Sequence, residues 1–218
     1  MRGSKVQVLS AAPVKSSLPA FGSEGFFVIW IRGICLTEGV VSCVLKRVKQ
    51  VWGALRARVR PADALFISEH LNPVEQELFF GMGMPDQYHS LCVAHDAIRL
   101  MAGHGDVDRR LLVRCALLHD VGRRRGDVST WDKIFTVLFH KVAPGQARAW
   151  GREGRGNRLD NLRHAVHVYF NHPQRGATIL QTAGSEQSLI DVIAFHHHVS
   201  RAEDPPELIL LRQADELN

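Results

Sequence analysis

Residues 111–122 read LLVRCALLHDVG, an apolar run that ends in adjacent imidazole and carboxylate side chains. Leu112, Cys115, Ala116 and His119 fall at i, i+3, i+4 and i+7, one stripe of an amphipathic helix. The stripe that buries leucine and cysteine therefore carries His119 inward. Asp120 lies one step round, within reach of the same point. Gly122 is expected to offer a left-handed stop, which puts the pair in the last helical turn. That end of a helix carries roughly half a unit of negative charge and favours a cation. A buried carboxylate without a partner costs on the order of several kcal/mol. A divalent metal is the partner that fits best.

Upstream, Asn72-Pro73-Val74-Glu75 has the form of a helix start, with Asn72 as cap, Pro73 in the first turn and Glu75 reaching back. A shorter helix opens at Pro61. Another runs from Pro85 or Asp86 to about Ala102, with His89, Val93, Ala97 and Leu100 at helical spacing, so His89 faces the core. Asp106 is the expected cap of the organising helix. Downstream, Ser129 or Thr130 caps a helix that Pro144 stops. Residues 144–160, rich in Gly and Arg, read as a surface loop. Leu162 to Phe170 is helical, and Pro173 opens a further helix. Ser185 caps the next, which leads onto His196 and His197. Pro205 and Pro206 open the last, where Leu208 and Leu211 share a face with Asp215. With no alternating strand run, no internal repeat and no nucleotide-binding glycine loop, the fold class is all-α.

The chain has 218 residues, 45% hydrophobic and 22% charged, an ordinary composition for a globular protein. One domain is expected over residues 59–218, preceded by an extension over 1–58. Residues 1–25 read as a poorly ordered tail. Residues 41–58 form a basic amphipathic pattern that suits packing on the domain or a partner, or contact with an anionic membrane surface. The apolar burst at 26–31 is too short to span a bilayer, and a signal peptide is not expected. Cys35, Cys43, Cys92 and Cys115 are widely spaced, as reduced thiols of a cytoplasmic protein would be. A net charge of +5 suits an anionic small substrate. Nucleic acid is disfavoured, because no recognition motif accompanies the charge.

Four helices or helix ends thus deliver His or Asp inward: His89, His119 with Asp120, His196 with His197, and Asp215. His172, at an expected helix start, is a fifth. A single inward histidine is more often a hydrogen-bonded core residue than a ligand. So many together leave a crowded polar core unless they share a partner. Imidazole and carboxylate ligands suit Mn, Fe, Zn, Co or Ni.

These motifs resemble those of the HD superfamily of metal-dependent phosphohydrolases, in the order His, His-Asp, Asp. They are His89 in DQYHSLCVA, His119-Asp120 in LLHDVG and Asp215 in ADELN. The chain is also similar to the subset with a further His in a His-Pro-x-x-Gly segment and a His-His pair, here His172 in NHPQRGA and His196-His197 in FHHH. The resemblance implies one metal on His89, His119, Asp120 and Asp215. It also implies a second on His172, His196 and His197, with Asp120 bridging. His198 is expected to lie behind the ligands or in solvent.

Two departures stand out. Many relatives follow the pair with Gly-Lys, whereas this chain has Gly122-Arg123 followed by Arg124 and Arg125. Arg123, and Arg124 beside it, would bind phosphate, but arginine stays charged and is a poor proton donor. A solvated basic loop is the other reading of this run. The Gly-Tyr-Pro motif linked to cyclic dinucleotide cleavage is absent after His198, which disfavours cyclic di-GMP. The resemblance therefore implies hydrolysis of a phosphomonoester or phosphodiester, with a nucleotide-type compound as the expected substrate. The alternative is a regulatory or binding module that keeps the metal scaffold without turnover.

Overall fold

The computed structural model describes residues 29–31, 34–36 and 60–218. The backbone divides into two units, Met1–Glu38 and Gly39–Asn218. In the first, β1 (Ile29–Ile31) pairs antiparallel with β2 (Ile34–Leu36), placing Trp30 opposite Cys35. No strand was expected there. Arg32 and Gly33 split the apolar stretch into two short runs rich in β-branched isoleucine, which favours pairing. The expected tail over 1–25 and basic helix over 41–58 fall outside the described residues.

The second unit is all-α, with nine helices among the described residues. They are α1 (Pro61–His70), α2 (Pro73–Phe80), α3 (Met84–Leu100), α4 (Arg109–Leu118), α5 (Thr130–Val142), α6 (Pro144–Trp150), α7 (Arg158–Thr182), α8 (Gln187–Phe195) and α9 (Pro206–Leu217). None is long and apolar enough to cross a membrane.

The organising stretch is the centre of the unit. α4 packs against α1, α2, α3, α8 and α9, and every residue from Leu112 to Leu118 is buried. A helix buried all round must satisfy any charge it carries. Arg114, in its middle, bonds Glu75 at 2.6 Å and also pairs with Glu186. Glu75 works twice, because its other oxygen accepts from the Asn72 N–H at 3.2 Å and closes the capping box at the start of α2. Cys115 is a buried free thiol whose pKa burial pushes well up.

Several boundaries differ from expectation for identifiable reasons. Asp108, not Asp106, caps α4, accepting from the N–H groups of Arg110 and Leu111 at 2.8 and 3.1 Å. Glu186 replaces Ser185 as the residue before α8, with its carboxylate committed to Arg114. Pro144 opens α6 inside the expected loop, since proline is at home in a first turn. Trp150 at the end of α6 packs edge-on against Phe139, with ring centroids 5.5 Å apart.

Pro173 does not start a helix but lies inside α7, which runs 25 residues without a break. Proline offers no N–H to the Tyr169 carbonyl four residues back. That carbonyl instead accepts from His172 Nδ1 at 2.8 Å, so the side chain beside the proline repairs the ladder.

Gly122 is not left-handed; positive φ occurs at Gly103, Gly126, Gly154 and Gly184. Its reason is a close approach instead. A Cβ on Gly122 would lie 2.1 Å from the His172 carbonyl oxygen and 2.9 Å from the Gly176 nitrogen. The turn after α4 thus presses directly on the backbone of α7 at His172.

Candidate metal centre

Two helices end on the same point. His119 is the C-cap of α4 and His196 the C-cap of α8, so both negative helix ends face one cluster. α3 brings His89 in from the side, α7 brings His172, and α9 brings Asp215. The ring centroids form a chain: His89 to His119 5.2 Å, His119 to His196 5.5 Å, His196 to His172 5.3 Å and His172 to His197 4.9 Å.

The ligand atoms group into two triads, His89–His119–Asp215 and His172–His196–His197, each with its atoms within 4.8 Å of one another. Asp120 stands between them. One of its oxygens is 3.7 Å from His119 Nε2 and the other is 3.3 Å from His172 Nε2. All seven residues singled out in the sequence are therefore brought together. His198 is exposed, with Nε2 3.4 Å from the Gln174 amide. α9 is held to its end, because Asn218 donates to Asp96 at 2.8 Å, which fixes Asp215 three residues before the terminus.

The histidines share one local device. Nδ1 of His119, His172 and His196 lies 2.9, 2.8 and 2.7 Å from the carbonyl three residues back. A carbonyl only accepts, so each Nδ1 carries the proton and each Nε2 presents a lone pair to the cluster. His172 Nε2 and Asp120 Oδ1 are then two acceptors facing each other at 3.3 Å. Nε2 of His119, Nε2 of His196 and Oδ1 of Asp120 are buried without a hydrogen-bond partner. Such groups are costly to leave bare, and cations seated in the two triads would supply the missing partners.

Protonation states match. Burial, with the neighbouring His197 and His119, lowers the His196 pKa to about 3. Burial and the Arg123 charge hold His172 well below its ordinary value and also lower His197. Burial opposes ionisation of Asp120, but Arg123, His119 and His172 outweigh it and keep the carboxyl well below the usual range. Burial likewise opposes ionisation of Asp215, and its hydrogen bond with His89 at 3.0 Å, with His119 close by, overcomes it. Neutral imidazole and ionised carboxylate are the ligand forms. The donor set fits a divalent transition metal.

The arginine run is a positioned loop. The Arg125 N–H donates to the Gly81 carbonyl at 2.9 Å, and Arg124 bridges to Met82. Arg123 turns back into the cluster, donating to Asp120 Oδ2 at 2.8 Å and, through its other terminal nitrogen, to His172 Nε2 at 3.1 Å. Sequence reasoning missed the next residues outward. Lys133 of α5 bonds both oxygens of Asp86 at 2.7 Å, and Asp86 lies 4.0 Å from Arg123. Their 47-residue separation leaves no local spacing to read.

No match to the chain was found among curated proteins or among solved structures. The family model described as HD domain matches residues 87–218, the segment holding every residue of both triads and Asp120. The chain belongs to the HD domain family.

Proposed function

We propose that the protein is a metal-dependent phosphohydrolase that cleaves a phosphomonoester or phosphodiester of nucleotide type. The observation that carries this reading is Asp120, set between two His-rich triads, each with one buried imidazole Nε2 that lacks a partner (His119 and His196), with a guanidinium 2.8 Å from its carboxylate. His89, His119 and Asp215 would hold one ion, and His172, His196 and His197 a second, with Asp120 shared. A bound divalent metal lowers the pKa of water from about 15.7 towards 7 and polarises a phosphoryl oxygen. The residues of the chain do the rest. The carbonyls of Ala116, Tyr169 and Ile193 fix the imidazole tautomers. Arg123 is half-buried beside the cluster and offers a planar pair of donors to a phosphate oxygen. Arg123 stays charged, so it anchors the phosphoryl group and does not transfer a proton.

A phosphoester panel, from p-nitrophenyl phosphate to nucleoside mono- and triphosphates, tests the reading with Mn, Fe, Zn, Co or Ni supplied. Turnover by the wild type, lost in Asp120→Ala together with metal uptake, is the expected result. Full turnover in Asp120→Ala would end it.

A second reading draws on the Arg123 geometry. The guanidinium already satisfies Asp120 Oδ2 and His172 Nε2, as a built-in cation would. A binding or regulatory module that takes up metal and ligand without turnover fits that pairing. Metal content without hydrolysis of any panel member would favour it.

A further inference from the structure

Beyond Arg123, away from the histidines, a cleft of about 400 Å³, open mouth included, runs between the start of α3 and the start of α5. Its charged walls are Arg123, Arg124, Arg125 and Lys133, with Asp86 the single acid among its lining residues. Gly83 and Gly126 leave the backbone bare along it. Among the described residues, neither Arg124 nor Arg125 has an acidic partner for its guanidinium. Lys133 has one, Asp86, gripped through both oxygens at 2.7 Å. Asp86 is nearly buried and also lies 4.0 Å from Arg123, so one carboxylate spans the two cations nearest the metal centre.

Four cations meet two carboxylates, Asp86 in the cleft and Asp120 behind Arg123, and so form a site with anion capacity to spare. The cations are also graded in position. Arg123 touches the metal cluster, Lys133 is one carboxylate further out, and Arg124 and Arg125 lie at the exposed rim. A single phosphate held by Arg123 beside the metal centre leaves the outer three unused. A chain of linked phosphates, each carrying charge, meets all of them in turn.

From this we infer that the ligand of the site carries at least two linked phosphoryl groups, as a nucleoside di- or triphosphate or an inorganic polyphosphate does. The inner group lies at Arg123 beside the metal centre. The outer group is held by Lys133, Arg124 and Arg125. Lys133 is a binding residue in this assignment, and Asp86 holds its ammonium in place until the outer phosphate arrives. The inference rests on the phosphohydrolase reading for the inner group only; the outer cations bind phosphate whether or not turnover follows.

The test titrates the full chain calorimetrically with orthophosphate and with tripolyphosphate, both saturated with Mg²⁺ so that neither strips metal from the protein. Tripolyphosphate is expected to bind at least about tenfold tighter, a difference of about 1.4 kcal/mol. Lys133→Met should remove most of that ratio, and Lys133→Arg should restore it. Asp86→Asn should increase the ratio, because it releases Lys133 for the ligand. Equal affinities in the wild type would overturn the assignment. So would an unchanged ratio in Lys133→Met, or a reduced ratio in folded Asp86→Asn, which would mark the pair as scaffolding. If Lys133→Met does not fold, the exposed-loop double variant Arg124→Ser/Arg125→Ser takes its place, with the same loss expected and an unchanged ratio again overturning the assignment. A chain that prefers tripolyphosphate but turns over no phosphoester sinks the hydrolase reading alone. One that hydrolyses p-nitrophenyl phosphate but shows no preference sinks this inference alone.

Discussion

Replacing Gly122 by alanine tests whether the turn after α4 is glycine for want of space or for backbone conformation. The added Cβ would sit 2.1 Å from the His172 carbonyl oxygen, where ordinary contact needs 3.4 Å or more, so something must move by more than 1 Å. The colliding atoms are backbone: the His172 carbonyl and, at 2.9 Å, the Gly176 nitrogen. α7 is a single rigid helix, and His172 on it faces Asp120 across 3.3 Å. Overpacking of this kind costs about 1–3 kcal/mol, more when backbone must yield. In a chain of this size each kcal/mol lowers Tm by about 2–4 °C. A fall of about 2–12 °C by thermal denaturation is expected from those two ranges, with a loss of metal affinity because the two halves of the centre are pushed apart. Gly145→Ala is the control, since nothing lies within 4 Å of its added Cβ. There the unfolded chain loses freedom at no steric cost, and stability should hold or rise by about 0.4–1 kcal/mol. Gly122→Asn separates the two explanations. A left-handed residue tolerates asparagine better than alanine, whereas a crowded one tolerates it no better. Gly122→Ala melting within 1 °C of wild type, or Gly122→Asn milder than Gly122→Ala, would refute the argument.

Other outcomes follow from the same geometry. Arg114→Leu leaves the Glu75 carboxylate buried and unpaired, so urea denaturation should show a loss of about 3–5 kcal/mol, most of it recovered in the Glu75→Leu/Arg114→Leu double variant. In the chelator-treated chain, unfolded histidine takes up a proton near 6.5, while His196 in the folded chain does so only at about 3. The unfolded state thus binds more protons in that window, so stability should fall as pH drops from about 6.5 towards 3 and be flat just above it. His172 and His197 act in the same direction. Denaturation midpoints that rise on acidification through that window would contradict the buried-neutral assignment. Arg123→Ala frees Asp120 Oδ2 and His172 Nε2, and calorimetric metal titration should then show tighter binding at the His172–His196–His197 triad; unchanged affinity would mean the guanidinium does not compete with metal there.

What could be read from the sequence is what local periodicity and order of motifs encode. The stripe of α4 placed His119 inward, the Asn72 capping box forms as its spacing implies, and Ser129 is the cap of the two candidates at the start of α5. That these seven residues meet at one cluster was legible because ionisable groups on apolar faces need a common partner, and motif order supplied which. What stayed hidden depends on tertiary neighbours. Pro173 reads as a helix start until His172 is seen to take the carbonyl it leaves unserved. Gly122 reads as a left-handed stop because crowding by another helix leaves no trace in its own neighbours along the chain. Lys133 and Asp86 meet only because α5 packs beside the start of α3, and no spacing rule joins them. Arg114 lies among apolar residues on a helix whose burial on every side became visible only with its surrounding helices in place.

The central claim is that the buried imidazoles and carboxylates exist to hold a cation. Elemental analysis of the full chain, purified without chelator, tests it most directly. At least one equivalent of a first-row transition metal per chain is expected, lost in folded Asp120→Ala and reduced in folded His89→Ala. A wild-type chain that folds, carries no metal above background and takes up none on titration would contradict it.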